Sequence, residues 1–266
     1  MTGNDQDIRQ GYRAILAFSF CALIFFISFL FPVLQMLYWT IIFPKHLADL
    51  NLIELFFNTT ILVFLSSIVL ISFAFISNYG NRLSKSKFLE ILTTFSISGY
   101  EMPGIILAVA FITFISWFDN NIVAYFKLET IKSIFIDLII GIVVVYFIRF
   151  YSLASNGIKS GYLKISYSID ESAYLLGYSK FKTFKDIHIP YLKNSILLIG
   201  ILIAIEIIKE LPITLIMRPF NFETFATQAY IYASQDLLEA AAAPSLFLIL
   251  IASFFILITS RYILKD

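Results

Sequence analysis

The chain is poor in nearly everything a soluble enzyme uses. Charged residues make up 14% of its 266 positions, with two histidines and one cysteine, where an ordinary globular domain carries roughly 25% charge. So little charge excludes a normally solvated surface over most of the chain. Cys21, alone in an apolar run, excludes a disulfide framework, a CxxC pair and a zinc finger. His46 and His188 fall on opposite sides of the membrane in the topology derived below, so they cannot share an ion. There is no GxxxxGKS/T phosphate loop, no HExxH and no Ser/His/Asp constellation. Catalysis is therefore not expected, and we assign no catalytic residue, no metal site and no cofactor. A net charge of +1 with pI near 7.7 supplies no field to hold nucleic acid. Internal repeats, low-complexity linkers and a second soluble domain are also missing.

What is present is apolar. The composition is 59% hydrophobic, with mean hydropathy +0.87, 29 Phe and 15 Tyr. Aromatics in such runs face lipid or pack between helices. A bilayer leaves open backbone groups unsatisfied, so a span needs a helix of about 20 apolar residues. Six stretches qualify, at 14–40, 55–77, 99–118, 131–151, 194–217 and 244–262. In the third, Pro103 and Gly104 fall in the first turns, where amides are unpaired anyway. The first run is too long for a signal-peptide core and lacks a small-residue cleavage site, so it is expected to be retained. The expected fold is an all-α, polytopic bundle of six transmembrane helices.

Six spans place both termini on one side. With that side cytoplasmic, 14 of the 19 basic residues lie inside, the other 5 being Lys45, Lys127, Lys132, Lys209 and Arg218. The positive-inside rule thus predicts cytoplasmic N- and C-termini and a cytoplasmic loop at 152–193, between the fourth and fifth spans. Arg149 reads as an anchor at the cytoplasmic end of the fourth span, reaching for the interface.

That loop carries two helix signatures. Ser168 with Glu171 forms a capping box, predicting a helix from Ile169 that stops at Gly177, a residue able to take a left-handed C-terminal conformation. Ser179 can cap a second short helix bearing Phe181 and Phe184 on one face. Pro190 predicts its end by Ile189. Such a loop is either an inert connector on the membrane or a partner-binding element. Connectors are usually shorter, and exposed aromatics flanked by lysines suit a partner's groove.

Glu171-Ser172-Ala173, three residues, Gly177, nine residues, then Ile187-His188-Ile189-Pro190 resembles the EAA loop of type I ABC importer permeases, with Ser172 for alanine and Ile189 for leucine. The resemblance implies that segment 168–190 is a two-helix coupling loop inserted into a groove on a separate ATPase subunit. Glu171, Ala173, Gly177 and Pro190 would hold its shape, Ser172 and Ile187 belong to the same coupling loop, and the helix over 178–186, with Phe181 and Phe184, would make the contact. It further implies two ATPase copies, a second permease unit in a homo- or heterodimer, a periplasmic substrate-binding protein, and a place in the bacterial inner membrane. Residues 1–51 would be a tail and first span, and 52–262 the permease domain.

The resemblance extends to ferric-iron importer permeases through Pro32–Trp39, Gly99–Ala108, Tyr146–Phe150, Lys209-Glu210-Leu211-Pro212 and Arg218–Thr227. It matches the second half of those permeases, which carry two six-span units in one polypeptide. Ferric iron is the substrate this implies, with thiamine, polyamine or an inorganic anion as alternatives, and a stand-alone carrier or channel as the rival of another class. Read physically, Glu206, Lys209 and Glu210 lie at i, i+3 and i+4 on one face of the fifth span. At a cost of about 2.5–3.5 kcal/mol per charge at mid-bilayer, they must face protein or water. They are either a self-neutralised cluster with Lys209 bridging both carboxylates, or a site where Glu206 or Glu210 offers oxygen ligands on the translocation path, or a gate or docking element. A tight iron site would defeat a conduit. The external segment 218–243, with Arg218 and Glu223, is either a surface for docking the binding protein or a solvated loop.

Overall fold

The structure, a computed structural model, describes residues 4–84, 87–123, 125 and 139–263. Its ordered elements are helices: α1 (Asn4–Phe25), α2 (Phe31–Ile42), α3 (Pro44–Ala48), α4 (Leu52–Ser84), α5 (Lys87–Ile97), α6 (Gly104–Phe118), α7 (Ile139–Tyr162), α8 (Tyr167–Leu175), α9 (Lys180–Thr183), α10 (Ile189–Ile208), α11 (Pro212–Met217), α12 (Phe225–Ser234) and α13 (Leu238–Ile263). Among the described residues, six helical runs are long and apolar enough to cross a bilayer. The chain is a multi-pass, all-α membrane protein, as its composition implies.

Two compact units are formed, Met1–Asn51 with Gln228–Phe247, and Leu52–Thr227 with Leu248–Asp266. In the first, α1 runs through a π-helical turn (Phe26–Leu30) into α2, and none of Tyr12–Ile42 is buried. Phe31 N–H reaches back to Phe26 O. This widened turn makes room for the ring of Pro32, which would otherwise press on the preceding turn. In the second unit α4, α7 and α10 pack on one another around Leu62, Leu70, Ala74, Ile142, Tyr146, Ala154, Leu192 and Ile203.

Several boundaries differ from the sequence expectation. The third span begins at Gly104, because Ser98–Glu101 is a 3-10 turn and Pro103 serves as the N-cap. The fourth, expected over 131–151, lies outside the described residues as far as 138 and continues as helix to Tyr162, so the start of the supposed polar loop, 152–162, is α7. Arg149 is therefore inside α7, not at its end. The fifth is not one helix over 194–217: it breaks at Lys209–Leu211, between α10 and α11. The sixth starts six residues early, at Leu238, and holds Pro244 within the helix.

Candidate functional site

Between α7 and α10 the chain makes a helical hairpin. α8 begins two residues before the expected capping box: Ser166, not Ser168, is the N-cap, its hydroxyl accepting from Ser168 N–H at 3.2 Å. Ser168 lies in the first turn, and its carbonyl accepts from Ser172 Oγ at 2.8 Å. At the other end Gly177 has φ +84°. Tyr178 N–H reaches Ala173 O and Gly177 N–H reaches Tyr174 O, both at 3.0 Å. Those paired bonds close the last turn only when the intervening residue is left-handed, which glycine adopts freely. Ser179 caps α9 by accepting from Lys182 N–H, as the sequence predicts.

Pro190 does not end the second helix. A π-helical turn over Phe184–His188 lets Ile189 N–H bond Phe184 O, and the proline then sits in the first turn of α10, where its missing N–H costs nothing. The hairpin's second arm is thus a continuous extension of the fifth span. The two phenylalanines part company. Phe181 is 73% exposed, but Phe184 packs against Phe75 and Tyr79 of α4, with ring centroids 5.1 and 4.7 Å away. Leu175 and Leu176 are bare at 89% and 79% exposed. A cavity of about 350 Å3 opens between the hairpin arms, lined by Ser168, Ile169, Ser172, Ala173, Leu176, Tyr178 and Ile187. Glu171 is exposed and Ala173 buried.

The hairpin is bolted to α4 by residues the sequence reading did not connect. Asp170 is buried, with Oδ2 2.7 Å from Arg82 Nε and Oδ1 2.6 Å from His188 Nε2. Arg82 also donates to Ile165 O and Ser166 O, each at 3.0 Å, covering carbonyls where α7 gives way to α8. His188 is fully buried between the rings of Tyr79 and Tyr162. Tyr79 OH donates to Lys180 O at 2.6 Å. In the sequence Arg82 registers only as a basic residue on the cytoplasmic side; the polar run Asn78–Arg82 marks the end of an apolar helix without naming a partner.

The break in the fifth span holds a second polar centre. Lys209 is the C-cap of α10 and pairs with Glu206 at 2.7 Å, largely exposed. Glu210 is buried and turned away from both. Its Oε1 accepts from Ile213 N–H at 3.2 Å, capping α11, and its Oε2 stands 3.6 Å from Arg149 Nη2. Thr214 Oγ1 donates to Glu210 O, and Tyr146 OH bonds Thr214 Oγ1. The cluster in which Lys209 bridges two carboxylates is thereby corrected, because the helix break rotates Glu210 off the face shared by Glu206 and Lys209. Arg149 is corrected with it, from an interfacial anchor to the partner of a buried carboxylate. Gly104 makes the arrangement fit: a Cβ there would lie 2.2 Å from Arg149 Nη1 and 2.9 Å from Glu210 Oε1.

After α11 the chain turns through Pro219–Phe222, with Asn221 at φ +59° and Phe220 wholly exposed. Arg218 and Glu223 pair with each other across this turn. Glu223 O accepts from Asn58 Nδ2 at 3.0 Å, Phe225 N–H bonds Thr59 Oγ1 at 3.3 Å, and Thr227 Oγ1 donates to Glu223 Oε2 at 2.8 Å. This segment is a braced turn fastened to the first turns of α4. Among the described residues no group of three or more His, Cys, Asp or Glu side chains is placed to hold a metal ion.

No known family profile matches the chain. It is 20% identical over 256 residues to the Fe(3+)-transport system permease protein FbpB 2 of Haemophilus influenzae, covering 95% of this chain and 48% of that protein, so it spans about half the length of this relative. Its fold matches a chain of a crystal structure of a bacterial ABC transporter involved in the import of the acidic polysaccharide alginate, with TM-score 0.73, 17% identity and 96% of both chains covered. The bacterial alginate ABC transporter in complex with an alginate pentasaccharide-bound periplasmic protein gives the same TM-score and identity, over 96% of this chain and 95% of that one. In sequence the chain is similar to half of an iron-transport permease, and its fold is that of a chain of the alginate transporter.

Proposed function

We propose that this chain is the transmembrane permease subunit of an ATP-driven importer, forming the substrate path and leaving ATP hydrolysis to a separate subunit. The observation that carries this is the hairpin of α8 and α9: an apolar, exposed tip of Leu175, Leu176 and Phe181 over a cavity, on a base of buried ion pairs. Two leucines and a phenylalanine exposed together beside lysines form an anchor-and-pocket surface of the kind that suits a partner's groove. Glu171, Ser172, Ala173, Gly177, Ile187 and Pro190 keep the hairpin's shape, and Phe181 enters the ATPase. Phe184 belongs to the base.

In this reading residues 52–262 are the permease domain, the hairpin faces the cytoplasm of a cell whose inner membrane holds the bundle, and a second permease unit and two ATPase copies complete the complex. A binding protein meets the opposite side near the Arg218–Glu223 turn. ATP-driven closure of the ATPases exchanges inward- and outward-open states, a displacement of packed helices. Ferric iron is the favoured substrate, supported by likeness to the iron permease; thiamine, polyamine or an inorganic anion is the alternative, and the alginate transporter's fold shows how widely substrates vary on one architecture. Glu206, Lys209 and Glu210 border the proposed path, with Lys209 exposed and Glu206 half-buried beside it.

The test is co-purification. Expressed with its partner genes, the chain should carry an ATPase through detergent extraction, and Phe181→Asp should release it while the variant still inserts. Uptake of radiolabelled ferric iron by such cells tests the substrate; iron-independent transport of another solute would move the chain to that alternative, and transport without any ATPase would make it a stand-alone carrier.

A further inference from the structure

The ends of α4 are fastened to the two segments that the reading above places on opposite sides of the membrane. At its C-terminal end Arg82 holds Asp170 and Tyr79 holds Lys180 O, so both arms of the hairpin are gripped. At its N-terminal end Asn58 and Thr59 hold the backbone of Glu223 and Phe225 in the braced outer turn. From Asn58 to Arg82 the helix runs about 36 Å at about 1.5 Å per residue, enough to cross a hydrocarbon core of about 30 Å. Nothing interrupts it: Leu52–Ser84 contains neither proline nor a π-helical turn. The alternative route through the fifth span is interrupted at Lys209–Leu211, between α10 and α11. A break of that kind absorbs displacement, since its dihedrals are free of the helical ladder.

We infer that α4 is the rod that carries motion of the coupling hairpin to the outer turn at 218–227, with Arg82 and Asn58 as the positioning residues at its two joints. This rests on the importer reading, and it adds which helix conveys the stroke. Arg82 suits a loaded joint because its fork binds one carboxylate and two carbonyls, fixing direction as well as distance. Asn58 grips backbone, so the outer turn must follow whatever side chains that turn carries.

The experiment uses the complete complex in lipid nanodiscs, with Cys21→Ser and Phe220→Cys, and follows labelling of residue 220 by a membrane-impermeant maleimide with and without ATP plus vanadate. The parent should show a nucleotide-dependent rate. Arg82→Gln and Asn58→Ala should each shrink that dependence about fivefold, and the double variant should lose no more than either alone, because joints in series fail together. Sites this far apart otherwise give additive effects. A dependence that survives both variants, losses that multiply, or a parent without any nucleotide effect each overturns the rod. If Arg82→Gln does not assemble, Tyr79→Phe, which removes the hydroxyl bonded to Lys180 O and leaves the ring in place, replaces it. Failure of the parent to bind an ATPase overturns the importer reading itself, and is scored before labelling begins.

Discussion

Arg149 Nη2 stands 3.6 Å from Glu210 Oε2, with the start of α6 at Gly104 lying directly against both side chains. Three elements meet there, α6, α7 and the break between α10 and α11. A buried pair of this kind gains little over apolar packing, but either charge alone is costly, by about 3–5 kcal/mol. The pair is therefore a condition for the break to exist inside the bundle.

Glu210→Ala or Arg149→Ala should each lower the melting temperature of the detergent-solubilised protein markedly, and the double variant Arg149→Met with Glu210→Leu should recover most of the loss. Lys209→Met, at an exposed pair, should change stability by less than about 1 kcal/mol. A Lys209 effect as large as that of Glu210 would restore the three-charge cluster.

Gly104→Ala should destabilise by about 1–3 kcal/mol, since its Cβ would overlap Arg149 Nη1. In the Arg149→Met, Glu210→Leu background, which removes the guanidinium without stranding a buried carboxylate, the same substitution should cost less. Thermal unfolding in the two backgrounds side by side reads this, and an equal cost in both would mean that the backbone of α6, not Arg149, is what the methyl meets.

Gly177 sets a different constraint. A Cβ there meets nothing within 4 Å, yet the residue sits at φ +84°. Gly177→Ala should cost about 1–2 kcal/mol from left-handed strain alone, and Gly177→Asn less, because asparagine tolerates that region. Circular-dichroism melts should rank Gly, Asn, Ala, Val. ATPase co-purification should follow the same order, and a side chain that leaves stability intact but abolishes association would place the partner directly on this turn.

Phe181→Ala and Phe184→Ala should separate binding from folding. Phe181 is exposed, so its loss should leave the melting temperature unchanged and weaken ATPase capture. Phe184 packs on Phe75 and Tyr79, so its loss should destabilise by about 2 kcal/mol. Equal stability effects would mean the hairpin is seated differently on α4.

Much of the architecture was legible in the sequence because hydropathy and capping are local. Six apolar runs, the left-handed Gly177 and the Ser179 cap each follow from neighbours within a few positions. Ser168 misled because Ser166 offers the same chemistry two residues earlier, and composition cannot rank two serines. Pro190 misled for a related reason: proline forbids an ordinary helical turn, but a π-helical turn supplies the needed space, and only the packing of Phe184 and His188 on α4 selects it.

The amino-acid sequence by itself determined that this protein lives in a bilayer as six helices with a bent, polar hairpin between the fourth and fifth. Only the tertiary structure decided which charges meet, joining Glu210 to Arg149 and Asp170 to Arg82 and His188. Spacing along a chain fixes which residues share a helix face. Which face meets which neighbour depends on how helices distant in sequence rotate and break to bury their charges together, and no local pattern records that.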